Sequence, residues 1–345
     1  MNLRHRPMRP EDIRECVDIV ANHPVIGPRY GATIEHLPEA LLRLLQCEAG
    51  IAVVVHAEED GHPPICFSGV TAMVQDDFLR EMKTPPHFWV GPELTRRIVR
   101  GESPFLTGKQ LREGNSRGGL NLVCWESCMR PEYEGHGEVL RYMMSGFIQN
   151  TRGYLWKEVI SSQSWSAEHL DFILKTGGHL WDPHAGGYTP TLTTDPSEIV
   201  SKPHVLGITR DLELKRQGDW TGSWVGALFD YHPPILGFNR SEQRLLSHAL
   251  SGATDEHLAE ILETSLPAVK KMWVSIYHRV EDCLPELVPD PLQSELPASG
   301  RGREKRRSLL AYLREHPEEL RPISRTPRDS RYTRQGSPES AATRG

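Results

Sequence analysis

The residues best placed to do chemistry lie on one short helix in the C-terminal third of the chain. On a wheel of about 100° per residue, Val269, Met272, Trp273, Ile276 and Val280 fall on one side, and Pro267, Lys270, Lys271, Val274 and His278 on the other. The first set is a core face. The second carries two lysines and no acid. Such a face suits contact with phosphates and base edges in a DNA groove, provided the opposite face packs on its own domain. The plainer reading is a solvated basic face on a three-helix scaffold, because charge pairs on helices are commonly no more than that.

The elements that must hold this helix are legible around it. Leu245, Leu246, Ala249 and Leu250 recur at helical spacing, and Gly252 follows where a helix end favours positive φ. Thr254, with Asp255 and Glu256 after it, opens a second helix carrying Leu258, Ala259, Ile261 and Leu262. Ser265 is the cap of the third, and Pro267 falls in its first turn, where a missing N–H costs little. Phe238 to Val280 therefore reads as three helices with a tight turn between the second and third.

A second constellation sits near mid-chain. Leu120–Met129 (LNLVCWESCM) reads as a strand, 130–137 (RPEYEGHG) as a loop, and Glu138–Asn150 as a helix. Glu126 on the strand, with Tyr133 or His136 in the loop, has the residue types for general base and general acid chemistry on an amine. The bland alternative for each is an ordinary loop or strand residue. Gly135 and Gly137 would leave amide donors open at a helix start, which is an anion site. Glu134 and Glu138 oppose an anion there by Coulomb repulsion. Trp125 and Trp165 read as core. No Ser-His-Asp, Walker or H-E-x-x-H pattern is present.

Two resemblances follow. The segment 238–280 resembles the LuxR-type helix-turn-helix without a gap, through Glu242, Leu245, Leu246, Gly252, Thr254, Leu258, Ala259, Leu262, Ser265, Val269, Lys270, Ile276 and Arg279. It departs at Ala268, Met272 and His257, where that family has Thr, His and Glu. The resemblance implies sequence-specific binding of double-stranded DNA by a homodimer. Lys270, Lys271 and Val274 would face bases, with His278 on the same outward face. Thr254, Ser265 and Ala268 would lie near the backbone through helix N-termini. The mid-chain loop resembles that of the GNAT acetyltransferases through Pro131, Tyr133, Gly135 and Gly137, and SAEHLDFILKTGGHLW resembles that family's later helix and strand. This implies an α/β body with a mixed sheet and flanking helices, in which Gly135 and Gly137 would meet the pyrophosphate of acetyl-CoA. The body departs from the family at Glu134, Val139, Ser166 or Ala167, and His179. On those departures it reads as non-catalytic and without a cofactor.

The whole chain bounds these readings. Its 345 residues exceed one ordinary domain, and 38% hydrophobic content supports folded cores. No run approaches a membrane span, and the first residues carry no signal-peptide core, so a cytoplasmic protein is expected. The six cysteines are scattered, apart from Cys124 and Cys128, which reads as reduced thiols rather than a zinc site. The net charge is −6, yet the residues from Arg301 onward carry twelve Lys/Arg against six Asp/Glu.

Further strands are expected at Leu3–Met8, Gly50–Ala57, Ile65–Val74, Tyr154–Ser161 and from Gly177 to Trp181. Helices are expected at Pro10–Val20, Glu35–Cys47 and Ala167–Thr176. The organisation is then a GNAT-like α/β domain over 1–186 and a segment 187–233 that extends the sheet or couples the domains. An all-α helix-turn-helix domain follows over 234–290. The linker at 290–302, a short amphipathic helix at 304–320 and an unstructured end complete the chain. The main expectation is a transcription regulator whose body senses an unknown small-molecule effector or oligomerises. The alternatives are an acetyl-CoA-dependent N-acetyltransferase with a helical targeting module, and a structural interaction protein.

Overall fold

The computed structural model describes residues 2–57, 65–162, 164–189, 192, 194–216, 226–287 and 298–324, without the side chains of 298–303. One sheet of eight strands organises the body: β1 (Leu3–Pro7), β2 (Gly50–Ala57), β3 (Ile65–Val74), β4 (Leu120–Met129), β5 (Trp156–Ser161), β6 (His179–Asp182), β7 (Gly187–Thr189) and β8 (Leu206–Thr209). Their spatial order is β1-β2-β3-β4-β5-β8-β6-β7. β4 and β5 run parallel, and the other pairs are antiparallel. The β-branched runs of β2 and β3 set strand propensity, and these two strands and β4 have the bounds expected from the sequence. The segment 187–233 extends the sheet, because β8 inserts between β5 and β6.

Helices cover both faces. Before the second strand lie α1 (Ile13–Asn22), α2 (Ile26–Tyr30) and α3 (Leu37–Leu45). Between β3 and β4 come α4 (Asp76–Lys83), α5 (Val90–Val99) and α6 (Gly108–Ser116), three helices beyond those expected from the sequence. After β4 follow α7 (Gly137–Thr151), α8 (Ala167–Lys175), α9 (Pro196–Val200), α10 (Arg210–Arg216) and α11 (Gly226–Phe229). The core between sheet and helices is anchored by Leu37, Leu44, Leu94, Leu111, Leu122, Trp125 and Trp156, all fully buried.

One irregularity shapes everything near the centre. β3 pairs Val70 with Glu126 and Thr71 with Cys124, so Trp125 is an extra residue on β4. A bulge of this kind bends its strand and strengthens its twist. The β4–β5 ladder ends at Cys124 opposite Ser161. Beyond that point β4 runs on to Met129 with, among the described residues, no strand partner on its β5 side, which leaves an opening where the ladder stops.

The C-terminal helices are α12 (Arg240–Leu250), α13 (Asp255–Ile261), α14 (Leu266–Cys283) and α15 (Ala298–Glu315). Each of the first three has its N-terminal amides capped by a side chain: Asn239 for α12, Thr254 for α13 and Ser265 for α14. Leu245, Leu246, Leu258, Val269, Trp273 and Ile276 form a second core, and Leu309 and Leu313 of α15 complete it. The expected linker is therefore shorter than the sequence suggested, since Ala298–Gly302 already belongs to α15. The unstructured end expected from Pro322 onward falls outside the described residues after Ser324.

A strap after α15 ties the helical unit to the body. Arg321 donates from Nε to the Arg152 carbonyl (2.9 Å) and lies 4.6 Å from the Tyr154 ring centroid. Asn115 donates to the Pro322 carbonyl (3.0 Å), and the Ser324 amide donates to Ser116 Oγ (2.8 Å). Glu319, buried, accepts from the amides of Ile235 (2.8 Å) and Leu236 (2.9 Å). No described helix is long and apolar enough to cross a membrane.

Candidate functional site

The opening between β4 and β5 contains a carboxylate. Glu126 lies just past the bulge and is 3% exposed. Tyr30 of α2 donates its phenol proton to Glu126 Oε1, and Trp125 Nε1 donates to the same Tyr30 oxygen (3.3 Å). The Cys128 thiol lies 3.7 Å from Glu126 Oε2. Burial and the Glu126 charge push the Tyr30 phenol well above its ordinary pKa, and they do the same to the Cys128 thiol. Tyr30 thus stays protonated and acts as a donor that holds the carboxylate in place. Gly91, at the start of α5, has its backbone against both Glu126 Oε1 and the Tyr30 oxygen, and any side chain there would collide with them.

Glu126 also lines a cavity of about 190 Å³. Its floor comes from the sheet, with Val53, Val70, Cys124, Ile160 and Ile208, and its walls from α7 and α8, with Met143, Phe147, His169 and Phe172. Met143, Met144 and Phe147 are only half-buried although they face the sheet. Among the described lining residues Glu126 is the only carboxylate, and none is Lys or Arg. His169 stacks on Trp165 with ring centroids 3.4 Å apart. Its pKa is lowered to about 4, first by burial and then by His204 and His23, so the ring is neutral near neutral pH.

The body also buries a pair of groups the sequence gave no hint of. His204 Nδ1 is 2.9 Å from the Lys202 carbonyl, which can only accept. Nδ1 therefore carries the proton, and Nε2 accepts from Ser164 Oγ at 2.7 Å. Arg29, next to Tyr30, donates from Nη2 to the Ser164 carbonyl (2.9 Å) and the Val200 carbonyl (3.3 Å). Its guanidinium lies 3.8 Å from the centroid of the Trp89 ring.

The expected loop sits at the other end of α7. Gly135 has φ +82°, and Gly135 and Gly137 both face open space. α7 has no side-chain cap, and its first internal bond comes from Leu140, so no described residue accepts from the amides of Gly137, Glu138 or Val139. A helix start with open donors is an anion site. The two opposing acids are less adverse than their positions in the sequence suggested. Glu134 is exposed, and Glu138 lies 3.9 Å from Arg141. Val139 is buried against Leu3, Val55 and Phe67 and belongs to the core rather than to the loop surface.

Of the sequence candidates, Glu126 is in the site, whereas Tyr133 and His136 are not among the residues lining its cavity. Tyr133 packs over a small core at the β1 edge, and His136 is exposed. The tyrosine at Glu126 is Tyr30, from a five-residue helix with no motif. In the helical unit, Lys270, Lys271, Val274 and His278 are exposed, with Val274 at 53%. Val269, Trp273, Ile276 and Val280 are buried, as the wheel required. Thr254 and Ser265 accept from His257 and Ala268 amides, so their hydroxyls are engaged as caps.

No protein-family model and no curated protein matches the chain. Solved structures do. The loading GNATL domain of CurA from Lyngbya majuscula is 10% identical, with 61% of this chain and 98% of that one covered and a TM-score of 0.36. The GphF GNAT-like decarboxylase in complex with isobutyryl-CoA is 12% identical over 60% and 98%, with a TM-score of 0.33. A GNAT family acetyltransferase from Brucella melitensis in complex with acetyl-CoA is 15% identical over 51% and 82%, with a TM-score of 0.28. The body of this chain is a mixed sheet with flanking helices.

These findings correct three expectations. The sequence points to a DNA-binding transcription regulator whose body is no enzyme and holds no cofactor. The proteins it resembles are GNAT-fold proteins, two of them with an acyl-CoA bound. The departures that argued against a working body also have a physical answer here. Glu134 points to solvent, Glu138 has Arg141 close by, and Val139 fills core.

Proposed function

We propose that the body is an acyltransferase that moves an acyl group from a coenzyme A thioester to an amine. The observation that carries this reading is the buried Glu126 in the opening between β4 and β5, at one side of an apolar cavity. Gly135, Gly137 and the open amides at the start of α7 would hold the pyrophosphate, through donors that cost no side-chain ordering. The thioester supplies an activated carbonyl carbon and a good leaving group. The amine nitrogen attacks that carbon, the C–S bond breaks, and the sulfur leaves as the thiol once protonated. Glu126 takes the proton the amine sheds, directly or through one water. Tyr30 keeps the carboxylate in position, and Trp125 keeps Tyr30 in position. The half-buried Met143 and Phe147 leave room for an acyl chain longer than acetyl, and methionine adapts to such a chain.

The helical unit is read as a LuxR-type helix-turn-helix carried as a targeting module. The support is the burial pattern of α14 and the three side-chain caps. Lys270, Lys271, Val274 and His278 would be its contact face, with Thr254, Ser265 and Ala268 at the helix starts beside it.

The test is release of coenzyme A thiol from a panel of acyl-CoAs with amine acceptors. The purified chain should release thiol in an acceptor-dependent way. Glu126→Gln should lower turnover by about 100-fold or more while a rise in melting temperature with acyl-CoA persists. No melting shift and no thiol release with any donor would remove the reading.

A further inference from the structure

A second cavity lies where the body meets the helical unit. Its volume is about 440 Å³, within the range of small-molecule sites, which favour the seams between units. One side is α12. The others are α6, the turn at Glu48, Tyr154 just before β5, and the strap after α15.

Three arginines line it. Arg240 and Arg244 stand about one turn apart on α12, with His248 a further turn on, so the three share one helix face. Arg112 comes from α6, on the body side. Among the described lining residues Glu48 is the only carboxylate. It is shared between two cations: Oε1 pairs with Arg240, and Oε2 lies 3.8 Å from Arg112, too far for a hydrogen bond. Arg244 forms no hydrogen bond and no ion pair with any described residue. Burial and the Arg244 charge lower the His248 pKa, so that ring is neutral near neutral pH and adds a donor without a charge.

Three guanidiniums thus face one carboxylate, in a chain whose net charge is −6. A concave surface with an excess of one sign gathers counter-ions, and an anion between α6 and α12 would relieve the repulsion of their cations. Further donors are open. Asn239 Oδ1 accepts from the Glu242 amide, and its Nδ2 has no partner among the described residues. The Tyr154 hydroxyl bonds to no described residue. The rest of the lining is largely apolar, with Phe238 and Tyr154 buried and Leu320 and Ile323 of the strap beside them. A phosphate presents three acceptor oxygens and close to two charges, which suits three converging guanidiniums better than a carboxylate does. The apolar part of the lining calls for an organic body on that phosphate. A recess of this size, walled by body and strap, admits a small molecule and not a duplex.

We propose that this cavity binds a small organic phosphate monoester and that the ligand ties the helical unit to the body. Arg112, Arg240 and Arg244 hold the phosphate, and Tyr154 and Phe238 receive the apolar part. The site is independent of the acyltransferase reading.

The test is titration calorimetry of the full chain at low ionic strength, with phenyl phosphate as the probe and the melting temperature as a second readout. Phenyl phosphate should bind at one site. Inorganic phosphate, lacking the ring, should bind about 10-fold or more weakly, and benzyl alcohol, lacking the charge, should not bind. Arg244→Gln and Arg112→Gln should each weaken phenyl phosphate about 10- to 100-fold, the loss expected for one charge-assisted donor. Arg244 is exposed and unbonded, so its variant should fold as the wild type does. Arg307→Gln removes an exposed arginine outside the cavity and should leave the affinity unchanged. Neither heat nor a melting shift with phenyl phosphate would overturn the proposal. Equal losses in all three variants would show diffuse attraction to positive surface, and undiminished binding in both cavity variants would place the ligand elsewhere; either result overturns it too. A loss in Arg244→Gln alone would confine the ligand to α12 and remove the tie. Weakened duplex DNA binding in Arg244→Gln, with no response to phenyl phosphate, would give the arginine to DNA instead.

Discussion

Acidification should unfold this protein in a way that one histidine reports. His204 is 6% exposed, donates from Nδ1 to the Lys202 carbonyl and accepts from Ser164 at Nε2. Its pKa falls from 6.5 to about 4, chiefly through burial, against a smaller upward pull from the Lys202 carbonyl and with Arg29 adding its repulsion. Because the folded value is depressed, the neutral ring favours the folded state above pH 6.5, and that advantage is lost as pH falls from 6.5 toward about 4. Linkage puts the loss between about pH 7.5 and about pH 5 at about 2 kcal/mol for this one ring. The assay is urea unfolding of the full chain at a series of pH values, for the wild type and for His204→Asn, which cannot titrate. The variant will be less stable at every pH, but its stability should fall by about 2 kcal/mol less over the window. Parallel curves for the two proteins would refute the reasoning, as would a His204 ring resonance titrating near pH 6.5.

Three shorter predictions follow. Gly91→Ala should abolish most thiol release, because its methyl group occupies the space of the Glu126–Tyr30 bond. Acyl-CoA should still raise the melting temperature of that variant. Leu246→Ala, at a fully buried position in the second core, should cost about 2–5 kcal/mol in the unfolding transition of the helical unit. Unfolding followed at Trp273 reads that directly. Glu263 has φ +50° at the turn between α13 and α14, so Glu263→Gly should stabilise by up to about 1 kcal/mol, measured as a rise in the urea midpoint.

How much of this the sequence disclosed depends on the range of the forces involved. β2, β3 and β4 were legible because strand propensity and period are local. The core face of α14 was legible because it needs only the 3.6-residue repeat. Glu126 was legible as an acid on a strand before a glycine loop. Its partners were not. Tyr30 comes from IGPRY, five residues with Gly and Pro and no periodicity. Gly91 lies in a three-helix insertion between two paired strands, and only the folded register of β3 on β4 brings it to the carboxylate. Glu134 and Glu138 illustrate the same limit. Both are close in sequence to Gly135 and Gly137, but sequence spacing does not tell which side of a turn a carboxylate takes.

The strap after α15 has a consequence for how this gene can be cut. Residues 234–290 look like a cassette that could be lifted out and placed on another protein. The folded unit is larger than that cassette. Leu309 and Leu313 complete its core, and Glu319 satisfies the amides of Ile235 and Leu236 at its very start. The same short segment then holds Arg152, Asn115 and Ser116 of the body. A truncation before Pro317 would therefore strip a fastening from both halves at once. The smallest portable piece runs to about Ser324, and a swap that ignores this would inherit an open core.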